Sequence, residues 1–338
     1  MPVKAGKHFT IPIFIPGLAC PFQCVFCNQK EISGHLKIPE PDEITGLIER
    51  YLHTIDNKKS AVEIGFFGGN FTGVSVSEQE KLLKIANVYI DKGLVSSIRI
   101  STRPDYISPE ILRFLKSYNV GTIELGAQSL DDDVLRLSGR GHKALDVVKA
   151  SEMITSPGFS LGLQMMTGLP GDTLEKSIYT ARKIISLGAD NTRIYPALVI
   201  KNTKLEEMYL SGKYKPLNLD EAVLWSKELF KIFEEGRVNI IRAGLHPSEG
   251  LLSGESLVAG PFHVSFRELV LSELWKETFA QLGEASEGSI TIHVPEKEYN
   301  YAVGYNGENK KLLRKNYRDV RFIKDSSLTG RQFRAYFN

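Results

Sequence analysis

The segment ACPFQCVFCNQ gathers every cysteine of the chain, Cys20, Cys24 and Cys27, at the spacing C-x3-C-x2-C directly after a short apolar run. Thiolates are soft ligands, and three of them on one loop can hold three irons of a cubane iron-sulfur cluster while the fourth iron stays open to another ligand. The same donors could hold zinc with His35 as a fourth ligand, although zinc sites usually pair two Cys-x-x-Cys halves. An odd number of cysteines packed into eight residues is unlike the paired framework of a disulfide-stapled secreted protein. The clustering therefore points to a metal site in a reducing compartment.

Other residues could meet a ligand. Gly68-Gly69-Asn70-Phe71 follows the next apolar run, and paired glycines let main-chain groups approach a ligand with no Cβ in the way. A plain turn is the alternative reading. Asp131-Asp132-Asp133 reads as a helix N-terminus, where carboxylates meet the helix dipole favourably, rather than as a metal site. His142 reads as a capping or packing histidine.

Positioning these residues falls to a repeated unit. From about residue 10 to residue 245, short β-rich runs alternate with helical patterns, the signature of βα units and a parallel sheet. The candidate strands are IPIFIPG, EIGFFGG, SIRIST, TIELGAQ, SLGLQMM, TRIYPALVI and VNIIRAG, most of them apolar throughout as for strands covered on both faces. Helices such as PDEITGLIERYLHTI and DTLEKSIYTARKIISLG have acidic starts and apolar residues at spacings of three and four. Six or seven such units make an α/β fold of the partial (β/α) barrel kind, with ligands at the C-terminal ends of the strands, where each unusual motif falls.

Composition agrees with that reading. A chain of 338 residues accommodates a large barrel plus a small appendage, and 42% hydrophobic with 24% charged residues is ordinary for a globular protein. A net charge of +2 confines any nucleic-acid surface to a local patch. The N-terminal apolar run, broken by Pro12 and Pro16, is too short for a signal segment or a membrane span, so no membrane association and a cytoplasmic location are expected.

The motifs STRPDYI, IELGAQSLDDDVLRLSGRGH, QMMTGLPGDT and RIYPALVIKNTKLEEMY follow the cysteine segment in order. Over roughly residues 10 to 215 this series resembles the radical S-adenosylmethionine (SAM) superfamily. It is similar in particular to the radical domain of the Elongator catalytic subunit and its bacterial relatives, and less closely to oxygen-independent coproporphyrinogen oxidase. The resemblance implies a 4Fe-4S cluster on Cys20, Cys24 and Cys27, with SAM on the open iron and cleaved reductively to a 5′-deoxyadenosyl radical. An electron donor such as flavodoxin or ferredoxin is implied with it. Phe26 is then expected near the adenine, and Gly68, Gly69 and Asn70 at the methionyl amino group. Gln128 and Gln164 would face the cofactor from strand ends, with Ser101, Arg140 and Tyr195 as further contacts. Gln128 and Gln164 also read as hydrogen-bonded barrel groups without a ligand, and Arg140 as the partner of a carboxylate. Ser101 departs from relatives that carry Glu before Thr-Arg-Pro-Asp. No acetyltransferase domain is expected after the barrel, because the remaining chain is short, and no second cysteine set supports sulfur insertion at an auxiliary cluster.

Residues 1–262 thus read as the barrel with a Gly/Ser/Pro-rich exit loop, 263–283 as a connecting helix and 284–338 as a separate small α+β unit. The last segment resembles a KH-type RNA-binding module, in the order strand, helix, Gly-x-x-Gly loop, helix and strand. Its loop is Gly304-Tyr305-Asn306-Gly307, followed by Lys310, Lys311, Arg314 and Lys315 and then by Arg318, Arg321, Lys324, Arg331 and Arg334. Tyr299, Tyr301 and Tyr305 could stack on bases or fill a small core. The favoured expectation is a radical SAM enzyme acting on RNA, tRNA or rRNA. The other is a radical SAM enzyme acting on a small metabolite or protein side chain, with the C-terminal unit as a cap.

Overall fold

The computed structural model describes residues 7–15, 20, 23–28, 37–55, 60–282 and 288–337. The strands of its first part are β1 (Lys7–Ile15), β2 (Ser60–Gly68), β3 (Ser97–Thr102), β4 (Val120–Gln128), β5 (Ser160–Thr167), β6 (Asn191–Pro196), the two-residue β7 (Val199–Ile200) and β8 (Asn239–Ala243). Seven of them pair in parallel in the order β1-β2-β3-β4-β5-β6-β8. Sheet order equals chain order, as βα units stepping in one direction require. Strands β1 and β8 stay at opposite ends of that order, so the sheet curls into a half-barrel with an open side.

The helices between the strands are α1 (Pro41–Thr54), α2 (Val76–Asp91), α3 (Pro109–Ser117), α4 (Asp132–Leu137), α5 (Ala144–Thr155), α6 (Leu174–Ser186), α7 (Lys204–Leu210) and α8 (Leu219–Glu235). Their starts are written in side chains: Ser75, Ser108, Asp131, Thr173, Thr203 and Asn218 each accept from an amide of the first turn. Asp131 thus begins a helix, as its sequence suggested, and also takes a bond from Lys176 Nζ at 3.2 Å.

One face of each strand is apolar and buried under the helices, with Ile11, Ile13, Val62, Ile64, Ile98, Ile123, Leu161 and Leu163 in one core. The opposite face differs from expectation. Thr10, Glu63, Arg99, Gln164 and Arg193 point into the half-barrel beside Phe14, Phe67 and Met166, so this face mixes charged and apolar residues while the helix side is apolar. Burial of charge is possible there because the charges neutralise one another across strands.

The exit loop folds back instead of leaving. It contains α9 (Glu249–Leu252) and β9 (Leu257–Ala259), and β9 pairs antiparallel with β7 beside the barrel mouth. Helix α10 (Phe266–Phe279) follows and serves two cores. Phe266, Val270, Leu271 and Leu274 pack into the barrel core, whereas Trp275 and Phe279 pack with Ile290, Ile292 and Val320 of the last unit. That unit runs β10 (Ser289–Val294), α11 (Tyr299–Val303), α12 (Glu308–Leu313), β11 (Asp319–Lys324) and β12 (Arg334–Phe337). Strand β10 is central, parallel to β11 and antiparallel to β12. No helix among the described residues is long and apolar enough to cross a membrane.

Candidate functional site

The inner face of the sheet and the loops beyond it surround a cavity of about 1700 Å³. Cys20, Cys24 and Cys27 all line it, as do Phe26, Gly68 and Gly69. Ser101, Gln128, Arg140, Gln164 and Tyr195 complete the wall expected from the sequence. Among the described residues no three Cys, His, Asp or Glu side chains converge closely enough to hold an ion, and His35 lies outside those residues.

The cysteine loop is tied down by its main chain. Val25 N donates to Ser138 O at 3.0 Å, Leu205 N donates to Val25 O at 2.7 Å, and Asn28 Nδ2 donates to Lys201 O at 3.0 Å. Val25 anchors one apolar cluster with Leu205 and Tyr214, while Phe26 packs against Met166, Leu169 and Ala197 at the ends of β5 and β6. Crowding by the surrounding protein pushes the Cys20 thiol up, opposed by the charges of Arg103 and Arg140.

Arg140 reaches this loop from the turn after α4. Its Nη1 donates to Cys24 Sγ at 3.3 Å and its Nη2 to Gly126 O at 2.6 Å. No carboxylate pairs with it among the described residues, and its buried Nε has no hydrogen-bond partner there. Arg103 Nη2 holds the Arg140 carbonyl at 2.6 Å and is itself fixed by a bidentate pair to Asp105 at 2.9 and 3.0 Å.

Gln128 ends β4 at φ +65°, a conformation few non-glycine residues adopt, where the pairing with β5 shifts register. Its buried Oε1 has no partner among the described residues. Gly68 is similarly constrained: at φ +102° a Cβ would sit 2.7 Å from Ile15 O. Asn70, two residues on, is buried and does not line the cavity; its Oδ1 accepts from Thr102 Oγ1 at 2.6 Å and Arg103 N at 3.2 Å, and its buried Nδ2 has no partner among the described residues. The side chain therefore latches the β2 loop to the β3 loop. His142 packs as its sequence reading suggested: it is buried, its Nε2 lies 3.3 Å from Ala127 O, and burial with the charges of Arg140 and Arg103 pushes its pKa down to about 3.

Sequence reasoning missed a charge ladder across the half-barrel. Glu63 Oε1 accepts from Arg99 Nε at 2.6 Å and Thr10 Oγ1 at 2.8 Å; Arg99 Nη1 donates to Glu124 Oε1 at 2.6 Å; Arg193 meets Glu124 at 2.7 and 3.0 Å. Gly162 makes room for it, since a Cβ there would sit 2.7 Å from Glu124 Cγ and 2.6 Å from Asn191 Oδ1. The available signal was one charged residue inside each of four otherwise apolar strands.

In the last unit, Gly304 is buried with φ +89° and a Cβ there would meet Asn309 N at 2.6 Å. Tyr305 N donates to Ser272 Oγ at 2.9 Å, and Gly307 N to Gly304 O at 2.8 Å. Two loop amides are thus already engaged, while Asn306, Lys311 and Arg314 are exposed and Lys310 is half-buried. Tyr299 and Tyr301 pack against the small core, and Tyr305 stacks edge-on with His263.

These features fit the implied cofactors: three thiols on one cavity wall, a glycine whose backbone leaves no room for a side chain, and two buried polar atoms without partners beside them. An uncharacterized protein of Methanocaldococcus jannaschii is 30% identical over 226 residues, covering 64% of this chain and 69% of that protein. The tRNA uridine(34) acetyltransferase of Methanocaldococcus infernus is 28% identical over 246 residues, covering 60% of this chain, which spans only 46% of that enzyme's length. The solved structure of M. infernus Elp3 with an N-terminal deletion shares the fold, with a TM-score of 0.64 at 19% identity over 81% of this chain and 64% of that one. Enzymes of the radical SAM superfamily use a 4Fe-4S cluster and SAM. Residues 14–184 match that superfamily and residues 189–276 match the Radical_SAM C-terminal domain; the chain belongs to the radical SAM superfamily.

Proposed function

We propose that this protein cleaves SAM reductively at a 4Fe-4S cluster and modifies a nucleotide of RNA. One observation carries the reading: three thiols lie on the wall of a single cavity with the Nε of Arg140 and the Oε1 of the left-handed Gln128, both without partners among the described residues. Relatives named tRNA uridine(34) acetyltransferases direct it toward RNA. Cys20, Cys24 and Cys27 would hold the cluster, and Gly68 and Gly69, with Phe26, Ser101, Gln128, Arg140, Gln164 and Tyr195, would hold SAM. Bound together, these cofactors would supply a 5′-deoxyadenosyl radical, with the electron coming from a flavodoxin- or ferredoxin-like donor.

The chain's own residues prepare that chemistry. Arg140 places positive charge 3.3 Å from Cys24 Sγ, where it would face the negative charge of a thiolate-held cluster. Arg103 fixes the Arg140 main chain, and Asn70 fixes the loop that bears Gly68 and Gly69. The exposed cations Lys311, Arg314, Lys315 and Arg318 offer the RNA backbone a basic face beside Lys310. Because Ser272 already engages Tyr305 N, contact through these side chains replaces a main-chain clamp on the Gly-x-x-Gly loop.

Anaerobic reconstitution should give about four irons per chain and reductant-dependent 5′-deoxyadenosine, both lost in Cys24→Ala. Stoichiometric zinc without deoxyadenosine would overturn the cofactor half. Replacing Lys311 and Arg314 by Ala should lower RNA affinity and reduce its salt slope by roughly one unit per lost phosphate contact. Equal slopes and equal affinity in both proteins would overturn the RNA half, and nucleoside mass spectrometry would identify the modified base.

A further inference from the structure

Five arginines line the cavity, and three have carboxylates: Arg99 has Glu63 and Glu124, Arg193 has Glu124, and Arg103 has Asp105. Arg140 has the Cys24 sulfur. Arg242, on β8, has neither. Its Nε donates to Gly244 O at 3.3 Å and its Nη2 to His246 Nδ1 at 3.0 Å, with no ion pair among the described residues. Glu249 and Glu255 line the same cavity without pairing with it.

Several features of this wall ask for an anion. Burial lowers the proton affinity of Arg242, Tyr195 opposes that, and the charge of Arg193, its cross-strand neighbour, adds to the lowering. A guanidinium keeps its proton even so, and a cation crowded by another cation gains from an incoming negative group. His246 accepts at Nδ1, so its proton sits on Nε2, which becomes a second donor. Partial desolvation and then the Arg242 charge lower its pKa, which favours the neutral ring. Ser248 lines the cavity too, and its buried Oγ has no partner among the described residues.

We propose that Arg242, His246 and Ser248 form an oxyanion site that receives a phosphate group of the nucleotide to be modified. A guanidinium, an imidazole N–H and a hydroxyl supply donors from three positions and a single positive charge, which suits a tetrahedral oxyanion. The site stands on β8 and its following loop, at the other end of the sheet order from β1, after which the cysteines come. A nucleotide anchored there by phosphate would extend its base toward the cysteine wall. The proposal rests on the RNA reading and adds to it where the nucleotide is gripped.

The test uses the reconstituted full-length protein and four probes: uridine, uridine 5′-monophosphate, a short single-stranded oligoribonucleotide, and succinate as a carboxylate. Wild-type protein should bind the monophosphate at least about tenfold more tightly than uridine, as a charge-assisted contact allows. Arg242→Gln should erase that preference, Arg242→Lys should restore part of it, and Ser248→Ala should lose a smaller part. Thermal melting of each variant separates a lost contact from a lost fold. A preference retained in folded Arg242→Gln, or succinate competing as well as the monophosphate, overturns the site. Arg242-dependent binding of the monophosphate without any binding of the oligoribonucleotide keeps the site and removes the RNA reading. Oligoribonucleotide affinity unchanged by Arg242→Gln does the reverse.

Discussion

Gln128 holds its φ of +65° at the end of β4, where a side-chain-bearing residue is strained by about 1 kcal/mol or more. Strain of this kind persists when the surroundings impose it and the residue has a task. Gln128→Gly should therefore leave stability unchanged or raise it by up to about 1 kcal/mol while SAM affinity falls, read by thermal melting and by calorimetry. Gly68 gives the opposite result. Its Cβ would meet Ile15 O at 2.7 Å, so Gly68→Ala should cost about 2 kcal/mol or more of folding stability before any ligand is added. A Gly68→Ala protein that melts with the wild type would show that the β1–β2 strand ends can part without cost. The sequence named Gly68 from its place after a strand and Gln128 through the family resemblance. It could not distinguish their roles, because one is strained by a register shift against β5 and the other is crowded by β1. Nor could it show that the Asn70 carboxamide oxygen turns toward Thr102 and Arg103, residues over thirty positions away whose approach only the fold creates.

At the scale of the strands and helices, the periodic patterns and capping residues gave every βα unit, since those signals are local. The inner face was illegible for the converse reason. Glu63 and Arg99 are 36 residues apart, Arg99 and Glu124 25, and Glu124 and Arg193 69, so a lone charge in each strand meets its partner only after the sheet forms. Glu124 holds the centre, between two guanidinium groups. Glu124→Gln keeps the shape and removes the counter-charge, leaving Arg193 without a carboxylate and Arg99 with Glu63 alone. The expected loss is about 3 to 5 kcal/mol, the usual result of breaking one side of a buried ion pair. Replacing Glu63, Arg99, Glu124 and Arg193 together by apolar residues should cost less than the single change, and urea unfolding of both variants checks the ordering. A ladder that merely filled space would show the fourfold variant as the weaker protein.

Across the whole molecule, α10 makes the barrel and the last unit one folding problem, because Trp275 is fully buried against β10 and its Nε1 donates to Glu298 Oε2 at 3.0 Å. Deleting residues from 284 onward would uncover Trp275 and Phe279, and the truncated chain should aggregate rather than remain a folded barrel, as light scattering would show. Stability against acid is likewise a property of the whole chain, set here by two groups of opposite sign. His142 has a pKa near 3 in the folded protein against about 6.5 when unfolded, so the unfolded chain takes up the proton first and stability falls as pH drops below about 6.5. Asp172, half-buried behind the β5 turn, is pushed up by desolvation to about 6 against about 3.9 unfolded, so the folded protein takes up that proton first. Its contribution rises as pH drops from about 6 to about 4, with a limiting slope of about 1.4 kcal/mol per pH unit for each group. The two effects offset each other in that window. Asp172→Asn removes the compensating gain, and its stability should fall on the order of 2 kcal/mol further than that of the wild type between pH 6 and pH 4. His142→Phe removes the loss and should be flatter than the wild type, or rise, over the same range. Urea unfolding at half-unit steps of pH reads both slopes, and parallel curves for the wild type and Asp172→Asn would mean that Asp172 keeps its charge in the folded protein down to pH 4.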